Sequence, residues 1–132
     1  MGKKRTRKEL QTLEAFEKTL REEVSVSADF DLPLAALALV IEGGWQEEDI
    51  RQALDALRAV DLVAQPAAAE LLVALPNTRI ADAQVVEERL REAVPEAAVG
   101  VASYRRGDTA EDLLERTQEA VSRRGAENPE AT

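Results

Sequence analysis

The sequence predicts an α/β sandwich: a β-α-β-β-α-β core with a four-stranded mixed or antiparallel sheet, and an extra helix at each end. Three observations predict it. Leu34 to Ile41 is apolar at every position, and Leu71 to Leu75 forms a second apolar run, the pattern of strands covered on both faces. Asp61 to Pro76 reads as two short strands joined by a turn at Pro66 to Ala69. Segments with helical spacing precede and follow that pair.

Taken in order, residues 7–24 predict a helix, with Leu10, Leu13, Phe16, Leu20 and Val24 on one stripe. The stripe suits docking on the domain or pairing with a second copy. Ser25 to Asp31 is polar and reads as a loop. Leu34 to Ile41 reads as a central, parallel-type strand, although a buried helix gives a similar run. Glu42 ends it and Gly43-Gly44 makes a turn. Residues 46–59 place Ile50, Ala53, Leu54 and Leu57 on one helical face. Glu47, Glu48 and Asp49 fall in its first turn and Arg58 in its last, as the helix dipole favours.

After the strand pair, Asn77-Thr78 begins a turn. Residues 81–94 predict a helix with Ala83, Val86, Leu90 and Ala93 or Val94 inward, stopped by Pro95. Ala97 to Ser103 is a further strand and Arg105 to Asp108 a turn. Thr109, with Asp112 three residues on, caps a last helix whose inner face is Leu113, Leu114, Thr117, Ala120 and Val121. Gly125 is its expected end. The organisation is a basic tail and amphipathic helix over 1–30, a domain body over 31–125, and a flexible tail over 126–132.

The 132 residues suit one domain, and the 45% hydrophobic content fills a modest core. Cysteine and histidine are both absent. Disulfides, thiolate metal sites and imidazole general bases are therefore excluded. Net charge is -9, unevenly spread. Residues 1–30 hold 7 Lys/Arg against 6 Asp/Glu, whereas residues 31–132 hold 10 Arg against 20 Asp/Glu. Such an acidic body disfavours nucleic acid and anionic membrane. Lys3, Lys4, Arg5, Arg7 and Lys8 form the one basic cluster, read as a solvated end. No apolar region follows it as in a signal peptide, and no run suits membrane insertion. The expected location is cytoplasmic.

From Asp61 to Gly125 the chain resembles the GGDEF, or diguanylate cyclase, domain family. The family has Arg-x-x-Asp, a strand, a Gly-Gly-Asp/Glu-Glu-Phe turn and a strand ending in Leu-Pro. This chain has Arg58-Ala-Val-Asp61, Leu62 to Pro66, Ala67-Ala68-Ala69-Glu70-Leu71, and Leu75-Pro76 without gaps. Glu88 to Val94 is similar to the family's following helix and Val99-Gly-Val-Ala102 to its next strand. Gly107-Asp-Thr-Ala-Glu-Asp-Leu-Leu114 is similar to the start of its last helix. The resemblance implies a GGDEF/ferredoxin-like core, degenerate and shortened.

In that family the domain joins two GTP molecules into cyclic di-GMP, which needs metal-binding carboxylates and a glycine turn at the phosphates. On the matching positions, the first metal-binding aspartate is Val40 and its companion is Glu42. The two glycines are Ala67 and Ala68, the acid of the turn is Ala69, the next acid is kept as Glu70, and the Phe is Leu71. The guanine-reading segment is missing between Trp45 and Asp61, and the phosphate-contacting lysine falls at about Gly125. Glu42 and Glu70 are at best vestigial as metal ligands. The resemblance therefore implies no catalytic residue, no metal and no cofactor.

Arg58 and Asp61 match the family's inhibitory Arg-x-x-Asp site for cyclic di-GMP. Guanidinium can meet the O6/N7 edge of guanine, and a carboxylate can accept its N–H groups. The same residues also suit a helix end and a helix-to-strand junction. Arg51, Arg89 and Arg91 are candidates for the further arginines such a site needs. Trp45 suits either packing over the sheet edge or an interaction surface, and Tyr104 with Arg105-Arg106 suits a solvated turn or base stacking. The expected function is a catalytically inactive regulatory domain that binds a protein partner or a second copy of itself. Cyclic di-GMP binding at Arg58 and Asp61 is the alternative.

Overall fold

The structure, a computed structural model, describes residues 8–127, with side chains as far as Val121. Lys3, Lys4, Arg5 and Arg7 of the basic cluster, and residues 128–132 of the expected tail, lie outside the described residues. The elements are α1 (Leu13–Phe30), β1 (Leu34–Val40), α2 (Glu47–Asp55), β2 (Leu62–Ala67), β3 (Glu70–Pro76), α3 (Ile80–Ala93), β4 (Ala98–Ser103) and α4 (Ala110–Glu127). The sheet order is β2-β3-β1-β4. Every neighbouring pair in it is antiparallel.

β1 is therefore central but not parallel to its neighbours. Its uniform apolarity comes from burial on both faces, which an antiparallel strand can also have when helices cover each side. Alternation along the strands sorts the core into two layers. Leu37, Leu39, Leu71, Val73 and Leu75 face α2 and α3, packing with Leu54, Ala83 and Leu90. Ala36, Ala38, Leu72 and Ala74 face α1 and α4, packing with Phe16, Leu20 and Leu113. The second layer is built on alanines, so α4 can come close to the sheet. At Gly100 in β4, an added Cβ would lie 2.4 Å from Val121 N of α4. Only glycine fits that approach.

The helix boundaries differ from the periodic reading in three helices, at four ends. α1 starts at Leu13, capped by Thr12 Oγ1, which accepts from Ala15 N at 3.1 Å. It then runs through the polar Ser25-Val26-Ser27 segment, because Ser27 falls at an inward helical position after Leu20 and Val24 and is buried. Asp31, left-handed at φ 53, ends it by donating its N–H to Ser27 O. α2 stops at Asp55, so Arg58 lies in the loop beyond it. α4 passes through Gly125 to Glu127, since a single glycine weakens a helix without ending it. Its start follows the sequence: Thr109 Oγ1 accepts from Asp112 N, and Asp112 Oδ2 accepts from Thr109 N, both at 3.0 Å.

Candidate functional site

Two places carry the residues singled out by sequence. The first is the end of the sheet where β1 leaves for α2 and the β2–β3 turn folds over. β2 is irregular between Ala64 and Ala67, where Gln65 and Pro66 interrupt the ladder. The turn itself is Ala68-Ala69, two residues tighter than the Pro66 to Ala69 reading. Its carbonyls are taken up by the neighbouring loop. Ala69 O accepts from Ile41 N at 2.9 Å and from Trp45 Nε1 at 3.0 Å. Ala68 O accepts from Trp45 N at 2.9 Å.

Gly43 and Gly44, at φ 96 and 103, let the β1–α2 loop close tightly enough for this. Trp45 is buried, its ring in the core and its N–H spent on the turn. Val40 pairs with Glu70, whose carboxylate accepts from Gln118 Nε2 at 3.0 Å. Leu71 is buried and Glu42 stands exposed on the loop. Segments 40–49 and 67–71 bring Glu42, Glu47, Glu48, Asp49 and Glu70 to this end and no Lys or Arg. Their field repels a polyphosphate. Among the described residues, no three acidic side chains gather as a metal site would need.

The second place is the α2–β2 loop. The Asp61 side chain is 1% exposed and accepts from Arg58 N at 2.8 Å, Nη2 at 2.9 Å and Nε at 3.2 Å. Arg58 Nη2 also donates to Thr78 Oγ1 at 2.8 Å, and Thr78 Oγ1 donates to Pro76 O at 2.9 Å. The loop is thereby tied to the end of β3. Lys8 Nζ donates to the carbonyls of Ala59 and Asp61 from the segment before α1. Burial pushes its pKa down, and the Asp61 charge opposes that in part.

Of the arginines proposed to join this site, Arg51 donates to Lys8 O and Arg91 pairs with the buried Glu87. Only Arg89 shares a shallow groove with Arg58, lined also by Thr78 and Asp82. The sequence offers Thr78 only as a turn residue and Lys8 only as part of a solvated basic end; Lys8 is instead partly buried and bonded to the α2–β2 loop. Glu87 gave one, as a carboxylate on the inward stripe between Ala83 and Leu90 with Arg91 four residues on.

Comparison of this geometry with solved structures decides the fold. The structure superposes on the diguanylate cyclase SiaD of Pseudomonas aeruginosa, solved in complex with its activator SiaC, with a TM-score of 0.78 and 26% identity. This fold is that of a GGDEF domain. The match covers 86% of this chain, which spans about half (54%) of the SiaD chain. The GGDEF domain of TpbB (YfiN) from Pseudomonas aeruginosa matches with a TM-score of 0.78, 19% identity, and coverage of 90% of this chain and 86% of that one. The GGDEF domain of DgcB from Caulobacter crescentus, in complex with c-di-GMP, matches with a TM-score of 0.77, 15% identity, and coverage of 97% and 96%. No family model matches the chain, and no curated protein does.

Proposed function

We propose that this GGDEF-like domain is catalytically silent and acts by associating with a protein partner or with a second copy of itself. The observation that carries the reading is the alanine turn closed by Trp45. A phosphate-cradling turn needs free backbone N–H groups, close approach and nearby cations. Here the turn presents methyl groups, its carbonyls are bonded to the adjacent loop, and the segments around it are acidic. Val40 at the metal position offers no ligand atom. A GGDEF-fold cyclase bound to an activator protein gives the association half its precedent.

Incubation with GTP and Mg2+ or Mn2+ tests the first half: no cyclic di-GMP forms, and turnover above a no-protein blank overturns it. Light scattering across a concentration series tests self-association. A persistent monomer that also captures no partner removes the association half.

The second reading, a cyclic di-GMP effector, is favoured by one observation. Arg58, whose side chain is 49% exposed, lines one groove with Arg89. A nucleotide there would have to work around Asp61, already saturated by Arg58. Calorimetric titration of cyclic di-GMP into wild type and Arg58→Ala separates the readings. Binding lost in the variant supports the effector, and no heat at high concentration removes it.

A further inference from the structure

The opposite pole of the sheet holds a group of side chains that neither reading uses. There the C-terminal end of α1 and the α1–β1, β3–α3 and β4–α4 loops meet in a concavity of about 310 Å3 lined by Ser27, Asp31, Leu32, Pro33, Arg79, Tyr104 and Arg106. Among the described residues, the guanidinium groups of Arg79 and Arg106 have no hydrogen bond or ion pair. In a chain of net charge -9, two free guanidinium groups against one carboxylate make a local reversal of sign.

Arg79 is placed against its own interest. It is the N-cap of the 14-residue α3 and caps nothing, so a cation sits at the positive end of a helix whose first N–H groups lack a side-chain acceptor. Asp82 in the first turn offsets part of this unfavourable charge, and an anion beside the Arg79 guanidinium in the concavity would offset the rest. Ser27 supplies an independent sign. It is 4% exposed, lines the concavity, and its hydroxyl has no hydrogen-bond partner among the described residues. The hydroxyl opens onto the concavity and is available there to a ligand.

The scaffold is fixed. Tyr104 N donates to Leu34 O at 2.7 Å. The turn carrying Arg106 is held by Asp108, which accepts from Arg105 N at 2.7 Å and from Arg116 Nη2 at 2.8 Å. Arg106 is thus presented by a rigid turn while its own side chain stays free.

We propose that this concavity binds a phosphate monoester, with the phosphate between Arg79 and Arg106 at the α3 N-terminus and an apolar or aromatic group of the ester against Tyr104, Leu32 and Pro33. Guanidinium pairs and helix N-termini both favour dianionic phosphate, and the wall of the site is the apolar part of the recognition.

The test is a 15N NMR titration of the full chain with phenyl phosphate, with inorganic phosphate in parallel. The expected result is saturable millimolar binding that shifts the amides of Arg79, Tyr104 and Arg106, with phenyl phosphate several-fold tighter than inorganic phosphate. Arg79→Ala combined with Arg106→Ala should weaken it at least tenfold while leaving the melting temperature unchanged, since neither side chain has a partner to lose. Lys18→Ala, which removes one positive charge elsewhere on α1, should keep it. Sedimentation with phosphatidylcholine vesicles, with and without phosphatidic acid, identifies the source: co-sedimentation only with phosphatidic acid supports a lipid headgroup, and solution binding alone supports a soluble ester. No saturable shift with either phosphate, or equal binding by the double variant, overturns the proposal.

Discussion

Asp61→Ala separates a structural brace from a waiting ligand site. The carboxylate is 1% exposed and holds the Arg58 backbone N–H at 2.8 Å and the guanidinium at 2.9 and 3.2 Å. Removing it leaves the part-buried Arg58 N–H without its acceptor, which costs about 1–2 kcal/mol. The guanidinium contacts add less than their number suggests. Arg58 is half-exposed and can turn to water, so its share is about 1 kcal/mol. The loss is then about 2–3 kcal/mol, a fall in melting temperature of roughly 6–15 °C for a domain of this size.

Urea unfolding followed by Trp45 fluorescence and far-ultraviolet circular dichroism, without nucleotide, reads it directly. Asp61→Asn, which keeps one acceptor oxygen, should lose about half as much. An Asp61→Ala variant within about 0.5 kcal/mol of wild type would refute the brace, since surface substitutions commonly fall in that range.

Gly100→Ala should destabilise by roughly 2–3 kcal/mol in urea, because its Cβ meets α4 backbone at Val121 N and cannot be moved aside cheaply. An unchanged midpoint would mean that α4 sits farther from β4. Trp45→Phe keeps the ring in the core but loses the bond to Ala69 O. It should cost about 1 kcal/mol and speed hydrogen exchange at the backbone amides of Ile41 and of position 45, and unaltered exchange would show the turn closes without the indole. Asp108→Asn should flatten the acid limb of the stability curve. The hydrogen bond from Arg116 holds the Asp108 carboxyl below its usual range, so its contribution is complete above about pH 4 and is lost as pH falls through the lower folded value. Superimposable acid limbs would contradict this. Lys8→Met should abolish a small rise in stability at alkaline pH. Burial lowers the Lys8 pKa, so between its folded and unfolded values the unfolded chain holds the extra proton. A rise that persists in the variant belongs to another group.

The order of elements was readable because each rests on local information: periodicity, capping residues and turn residues. The runs at Leu34 to Ile41 and Leu71 to Leu75 also announced burial on both faces. They left strand direction open, because direction depends on which chains pair and not on the side chains of one strand. The extension of α1 through Ser25-Val26-Ser27 was hidden because a polar segment is read as solvated unless the packing partner of Ser27 is known.

The same division runs through the candidate sites. The sequence by itself determined that the turn between the paired strands carries three alanines, Ala67-Ala68-Ala69, and that the apolar run of the first strand ends in Val40 and Ile41, so neither place offers a carboxylate. Only the tertiary structure decided what those positions do instead. Trp45 spends its N–H on the turn, Asp61 is consumed by Arg58, and Thr78 joins them from twenty residues away. It likewise gathered Ser27 of α1, Arg79 of the β3–α3 loop and Arg106 of the β4–α4 loop around one concavity. Hydrogen bonding and charge act through space at a few ångströms, and which residues come that close is set by the packing of helices on both faces of the sheet.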